Sequence, residues 1–452
     1  MFGRVLIANR GEVAVRLVRA CHELGIEAVV VYSTADRDSL PVRLADRAVH
    51  VGPPPAARSY LNIPSLVAAA TTTGCEAVHP GWGFLAENAE FARACEENDL
   101  VFVGPRPETI ETMGDKVRAK QTVAAAGLPL VPGSDGPASL AQAEDLGGEI
   151  GYPLLLKAAA GGGGRGMRLV EFAADLEDAY RTATAEAEAA FSDGSLYVEK
   201  ALLGVRHVEI QVLGDGEGGV LALGERDCSI QRRHQKLVEE APSPAVTPTL
   251  RAEMEGAARR GCGALRYRGA GTVEFLLAPD EAFYFIEMNT RLQVEHPVTE
   301  LLTGIDLAHA QLEIAAGHPL ARTDRPDLRG HAIEIRINAE DPARGFLPAP
   351  GTVTRFRPPL GPGVRVDTHV YDGYAIPPFY DSLIAKVIVW AEDRPAAITR
   401  ARRALAELEL DGVPTTRNLS LDILASEPFA RGEYTTTFLS EVGAALPALA
   451  AA

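Results

Sequence analysis

The 452-residue sequence is poor in cysteine: Cys21, Cys75, Cys95, Cys228 and Cys262 make an odd number with no C-x-x-C spacing. That pattern favours neither a zinc ribbon nor a disulfide framework. No apolar run approaches the roughly 18 residues of a membrane span, and Arg4 stands too close to the apolar Val5–Ile7 for a signal peptide, so a cytoplasmic protein is expected. Positive charge is also scarce: 44 Lys and Arg face 61 Asp and Glu, a formal net charge of -17. Sequence-independent nucleic-acid binding and attachment to an anionic membrane both rest on basic residues, so neither partner is expected. A dinucleotide site is discounted too, because the first strand-to-helix turn carries Gly11 alone where G-x-G-x-x-G is needed. The hydrophobic fraction of 46% and charged fraction of 23% are those of a globular chain, and the length allows two or three domains.

The periodicities begin as α/β. Arg4–Ala8, an amphipathic run from Val13 to Leu24 and Ala28–Tyr32 read as strand, helix and strand, and the pattern repeats through Ala77–His79, Glu87–Glu97 and Leu100–Val103. Residues 108–127 read as one helix with Met113-Gly-Asp-Lys116 inside it, and the turn-rich Pro132–Pro137 follows as a candidate hinge. The strand-like Tyr152–Lys157 then runs into a loop with four consecutive glycines, Gly161–Gly164. Such a loop lets backbone N–H groups approach an anion closely. It lacks the G-x-x-x-x-G-K-[ST] order of a P-loop, but a lysine precedes it, which favours a phosphate over a plain hairpin tip. In His207–Val212 the residues His207, Glu209 and Gln211 share one face. Arg226–Lys236 concentrates Arg226, Arg232, Arg233, His234 and Lys236, which reads either as a solvated charge run or, more sharply, as an anion pocket. His331–Asn338 alternates Ile333, Ile335 and Ile337 with Glu334, Arg336 and Asn338, and Pro395–Glu409 reads as a helix. The Ala-rich last twenty residues carry no motif.

The densest chemistry lies in Phe283–Pro297, where Glu287, Asn289, Arg291, Gln293 and Glu295 are all odd-numbered and share one face if the chain is extended. His296-Pro297 suggests a bend at its end. Upstream, Thr272–Leu277 reads as the partner strand of a hairpin with Pro279–Ala282 as a four-residue loop. That loop pairs positions summing to 561 and sets Glu274 opposite Glu287. Opposed like charges are unfavourable on a sheet, and a hard cation such as Mg²⁺ between them would remove the conflict.

Together these segments resemble the ATP-grasp superfamily and, more narrowly, biotin carboxylase. The resemblance is carried by Ile7–Glu12, His79–Phe84, Met113–Lys116, Gly161–Met167, Glu225–Ser229, Gln231–Lys236, Glu287–His296 and Arg336–Asp341, which span nearly the whole chain. It implies an overall α/β (α+β) fold with a Rossmann-like N-terminal domain at 1–113, an ATP-grasp domain at 114–320 with a mobile lid at about 129–201, and a mixed C-terminal domain at 321–452. It also implies that ATP is contacted by Lys116, Lys157 and His207, with Gly163 and Gly164 closing over the phosphates. Adenine would lie along Glu199–Leu202, including Lys200, between Met167 and Leu276, with Gln231 and His234 also at the nucleotide. Glu274, Glu287 and Asn289 would hold Mg²⁺ or Mn²⁺. Lys236, Arg291, Gln293 and the backbone of Val294 would bind bicarbonate, Glu295 would be its general base, and Arg336 would stabilise the enolate-like ureido oxygen of biotin.

The chemistry implied is phosphorylation of bicarbonate to carboxyphosphate, breakdown to CO₂ and phosphate, and carboxylation of biotin N1′. The sequence departs from the family at Ala158–Ala160, where some members have Ser or Gly, and at Trp82, where Tyr is frequent. No methionine is followed by lysine, so the biotin-accepting Met-Lys-Met is absent. Biotin is therefore expected on a separate carrier protein or domain of a longer polypeptide, with a carboxyltransferase as further partner and a homodimer as assembly. Two alternatives stand beside this reading: another ATP-grasp ligase, such as a carbamoyl-phosphate-synthetase half, and a nucleotide-binding subunit without catalysis.

Overall fold

The computed structural model describes residues 1–159, 166–233, 235–322 and 324–450. Gly163, Gly164 and His234 lie outside the described residues.

The first third forms a parallel sheet of five strands, β1 (Arg4–Ile7), β2 (Glu27–Ser33), β3 (Arg47–Gly52), β4 (Ala77–His79) and β5 (Val101–Phe102), in the order β3-β2-β1-β4-β5. Reversal of strand order about β1 is the doubly wound pattern. Buried apolar runs such as Val5, Leu6 and Ile7 fit a sheet covered on both faces. The edge strand β3 is mostly exposed, and its weak apolar pattern explains why periodicity passes over it.

A small antiparallel sheet follows, β7 (Met167–Val170), β6 (Leu154–Ala158) and β8 (Leu196–Lys200) in the order β7-β6-β8, with its own core of Leu154, Leu156, Val198 and the helix Leu176–Phe191. The largest sheet has eight strands. Six are β9 (Arg206–Asp215), β10 (Val220–Arg232), β11 (Gln235–Ala241), β12 (Arg268–Leu277), β13 (Phe283–Asn289) and β14 (His331–Asn338), and the order runs β13-β12-β9-β10-β11-β14 before Leu383–Ala391 and Val364–Thr368 close it. The sheet is continuous from residue 206 to 391, so β11 and β14 pair directly across residue 320.

Two expectations differ in detail. The helix expected over 108–127 is two helices, Pro107–Gly114 and Lys116–Ala125, because Asp115 turns extended and its side chain accepts from the amides of Val117 and Arg118. An Asp after Gly competes for backbone donors and starts a helix more readily than it continues one. The Ala-rich C-terminus is not idle: Leu446 is buried, and Ala448 and Leu449 pack on the core containing Leu419 and Ile423. Among the described residues no helix is long and apolar enough to cross a membrane.

Candidate active site

Three neighbouring strands place three glutamates in one row: Glu209 on β9 faces Glu274 on β12, which faces Glu287 on β13. The hairpin reaches this register indirectly. Its loop is residues 278–282, closed by the Ala278 amide donating to the Ala282 carbonyl at 2.8 Å, and the pairs next to it sum to 560. An extra residue, Ile286, then bulges β13 and restores 561 from Glu287 onwards. The bulge also lets Phe285 and Met288, three apart, enter the same core.

Past Asn289 the chain leaves the sheet, and a loop carries it to the helix His296–Thr303. The five odd-numbered side chains therefore do not form one strand face. Arg291 Nε lies 2.8 Å from Glu87 Oε2, and Glu87 Oε1 accepts the Thr290 amide at 2.9 Å. Gln293 and Glu295 turn back towards the glutamate row. Gln293 Nε2 donates to Glu274 at 2.9 Å, and its oxygen accepts from Arg226 at 3.1 Å. The Val294 carbonyl accepts from Lys386 Nζ at 2.7 Å.

Lys236 is the hub: its ammonium lies 2.7 Å from Glu209, 3.3 Å from Glu274 and 2.5 Å from Glu295. Burial works against its charge, yet these carboxylates outweigh burial and raise its pKa well above the ordinary lysine value. Glu295 is held from two sides, by Lys236 and by Arg336 Nη2 at 3.0 Å. Burial alone would raise its pKa; Lys236 and Arg336 reverse that and keep the carboxyl well below the usual range. Arg336 in turn donates its Nε to Glu239 at 2.6 Å.

The dense basic segment is not a single anion pocket. Arg226 is fully buried and committed to protein: Glu209 at 2.6 Å, Gln211 at 2.7 Å, Thr272 and Thr299 at 3.0 Å, and Gln293 at 3.1 Å. Arg232 donates to the Gly345 carbonyl and stacks on Phe346, while Arg233 is exposed. Of the described cations in the segment, only Lys236 forms ion pairs with Glu274 and Glu295. Gln231 pairs with it across β10 and β11.

At the small sheet, Lys157 on β6 pairs with Glu199 on β8, and so does Lys120, which sequence reasoning missed. Burial opposes the Glu199 charge, but Lys157 and Lys120 lower its pKa below the ordinary value. Lys200 turns elsewhere, donating to the Gly151 and Tyr152 carbonyls at 3.1 and 2.8 Å. Lys116 opens the helix Lys116–Ala125 and is exposed. Met167, 40% exposed, pairs with Lys157; half-buried Leu276 pairs with His207, and Leu202 is also half-buried. The motifs at 7–12 and 79–84 meet in a cleft of about 350 Å³ closed by Phe379 and Tyr380.

Family models match the chain in three consecutive stretches: biotin carboxylase N-terminal domain over residues 1–110, carbamoyl-phosphate synthase L chain ATP binding domain over 115–323, and biotin carboxylase C-terminal domain over 334–441. A biotin carboxylase of Nostoc sp. is 53% identical over 443 residues, covering 98% of this chain and 99% of the relative. The chain belongs to the biotin carboxylase family. The biotin carboxylase–β-γ-ATP complex of Campylobacter jejuni superposes with a TM-score of 0.92 at 46% identity, covering 98% of this chain and 99% of that one. The biotin carboxylase domain dimer of the Hydrogenobacter thermophilus 2-oxoglutarate carboxylase, solved with MgADP and bicarbonate, gives 0.92 at 48% identity with 99% of both chains covered.

A biotin carboxylase works on ATP with a divalent cation, and Glu274, Glu287 and Asn289 fit one. Burial opposes ionisation of Glu274, but Lys236 and His207, the latter at 3.0 Å, hold its carboxyl well below the usual range. Glu287 differs: desolvation in its cleft and then the Glu274 charge push its pKa up, and His207 and Lys236 offset them only in part. A divalent ion would supply the remaining positive charge, and two carboxylates with the Asn289 amide oxygen are hard donors suited to it. The ligating atoms of His207, Glu209 and Glu274 also lie within 4.8 Å of one another, but the Lys236 ammonium takes up the charge there.

Proposed function

We propose that this chain catalyses the ATP- and bicarbonate-dependent carboxylation of biotin presented on a separate carrier, the first half-reaction of a biotin-dependent carboxylase. The observation that carries the proposal is the clamp on Glu295, a buried carboxylate held between Lys236 and Arg336 and one residue from the backbone of Val294.

In this reading Lys236 and Arg291, with Gln293 and the Val294 backbone, bind bicarbonate. An anion entering beside Glu295 competes for the hydrogen bonds of Lys236, each contributing roughly 1.5–3 kcal/mol when charge-assisted and shielded. Drawing that cation away restores basicity to Glu295, which then takes the bicarbonate proton as its oxygen attacks the γ-phosphoryl group. Lys116, Lys157 and His207 position the nucleotide. Glu199 holds Lys157 until ATP competes for it, and Leu202, Met167 and Leu276 supply the apolar walls for adenine. A divalent cation on Glu274, Glu287 and Asn289 supplies charge neutralisation at the phosphates. Carboxyphosphate breaks down to CO₂ and phosphate, and the phosphate takes the biotin N1′ proton as N1′ attacks CO₂, with Arg336 on the ureido oxygen. The lid at about 129–201 keeps water from an intermediate that hydrolyses in the open. Under the same proposal residues 1–113, 114–320 and 321–452 act as domains of one enzyme, which works as a homodimer with a biotin carboxyl carrier and a carboxyltransferase.

The test is ATP hydrolysis by purified protein with and without bicarbonate and free biotin. Hydrolysis that depends on bicarbonate and rises with biotin, with carboxybiotin formed, is expected. Equal hydrolysis without bicarbonate, or no carboxybiotin, overturns the reading.

A further inference from the structure

Behind Arg336 lies a second carboxylate pair that the reaction scheme does not use. Glu239 on β11 and Glu334 on β14 are directly opposed partners in the antiparallel ladder, and both are fully buried. Directly opposed side chains stand about 4.5–5.5 Å apart at Cβ, within reach of each other's carboxyl oxygens. Glu239 Oε1 accepts from Arg336 Nε at 2.6 Å. Among the described residues, Glu239 Oε2 and both oxygens of Glu334 are buried with no hydrogen-bond donor. These two opposed carboxyls carry three such oxygens, and a proton on one of them gives two of the three a hydrogen bond. An ionised, unpartnered carboxylate at that depth would cost several kcal/mol.

Resting on the role given to Arg336 above, we propose that Glu239 and Glu334 share one proton, Glu334 donating it to Glu239 Oε2, and that this pair is the positioning device that aims the Arg336 guanidinium at the biotin ureido oxygen. Arg336 then spans two ionised carboxylates, Glu239 behind it and Glu295 in front, so its planar fork is fixed at both ends. The charges around the pair agree with one proton rather than none. Lys386 from the adjacent strand Leu383–Ala391 and Arg336, two residues along β14 itself, face Glu334, with Glu239 and Glu295 opposing them; Arg336 and Lys236 face Glu239, with Glu295 opposing. His296, on the helix packed over β14, has its pKa lowered well below the ordinary value by burial and then Lys386, and is neutral. Burial and then the neighbouring carboxylates outweigh the cations at both glutamates: Glu334 is raised well above the carboxylate range and Glu239 to about 7.

Glu239 must be ionised to hold Arg336, so biotin carboxylation falls as pH drops through about 7. The experiment measures kcat/KM for free biotin and the biotin-independent ATPase against pH for the wild type, Glu239→Gln, Glu334→Gln and Glu334→Leu. Glu239→Gln loses about tenfold or more in kcat/KM for biotin, the loss of one charge-assisted hydrogen bond, with the ATPase changed far less. Glu334→Gln, a neutral donor of the same shape, restores most of the biotin activity that Glu334→Leu loses and keeps the wild-type acid limb. Equal activity of the Gln and Leu variants, or an acid limb displaced in Glu334→Gln as expected from removing a full negative charge, overturns the shared proton. Isotope-edited infrared spectra of the holoenzyme at neutral pH provide the second readout: a protonated carboxyl band lost in Glu334→Gln supports the pair, and its persistence refutes it. A wild type lacking bicarbonate dependence refutes the functional reading instead, so the two failures are separable.

Discussion

Replacing Arg226 by Met tests whether the basic segment at 226–236 is an anion pocket or a structural brace. The side chain is fully buried and donates to Glu209, Gln211, Thr272, Thr299 and Gln293. Removing one partner of a buried ion pair costs about 3–5 kcal/mol, because the charge left behind stays out of water. Here Glu209 keeps Lys236 at 2.7 Å, which places the loss at the lower end, about 3 kcal/mol. Arg226→Lys keeps a charge beside Glu209 but cannot span the two threonines and two glutamines, and about 1.5 kcal/mol is lost. Urea unfolding followed by the fluorescence of the two tryptophans reads both variants. The expected result is a lowered midpoint for Met, with Lys between it and the wild type. Stability within about 1 kcal/mol of wild type for Arg226→Met, accompanied by a raised bicarbonate KM, would show that the arginine serves the ligand and refute the brace.

Three further outcomes are expected. Glu295→Gln abolishes turnover while calorimetry shows ATP binding largely intact; lost nucleotide affinity contradicts its role as base. Arg336→Ala impairs biotin carboxylation more than the biotin-independent ATPase, and equal losses in parallel kinetics contradict a biotin contact. Glu240 is buried, and although burial opposes its charge, His331 and Arg394 hold its pKa down to about 2. A lowered native pKa stabilises above the unfolded value of about 4.3 and that stability is lost as pH falls towards 2, an interval equivalent to about 3 kcal/mol. Glu240→Gln therefore flattens acid denaturation between these pH values, and an unaltered slope contradicts the pairing.

Alternation and charge make much of the site legible in the sequence. The Glu274–Glu287 opposition follows from hairpin arithmetic, and His207, Glu209 and Gln211 fall on one face by parity alone. The bulge at Ile286 escapes because a loop one residue longer and a bulge of one residue cancel in the pairing of Glu274 with Glu287. Arg226 is misread because a charge run has the same composition whether it faces an anion or five protein acceptors; only the strands beside it decide. Glu87 carries no local signal at all, since its partner Arg291 is 204 residues away. Lys120 is lost inside an ordinary helical segment that becomes informative once Asp115 is seen to start it. The N-terminal parallel sheet reads well where both faces are covered and poorly at β3, where they are not.

Lys386 has a consequence for how the chain can be divided. Its buried ammonium donates to the Val294 carbonyl and lies 3.3 Å from Glu12 and 3.6 Å from Asp367. One side chain from the last third of the sequence thus braces the backbone next to Glu295 and neutralises a carboxylate from the first helix. Modularity in the sequence does not extend to the interior. A fragment ending before residue 383 would strand Glu12 without its cation and leave the loop that carries Val294 without its brace. The terminal third is thus as much a part of the site as the segment bearing Glu274, Glu287 and Asn289.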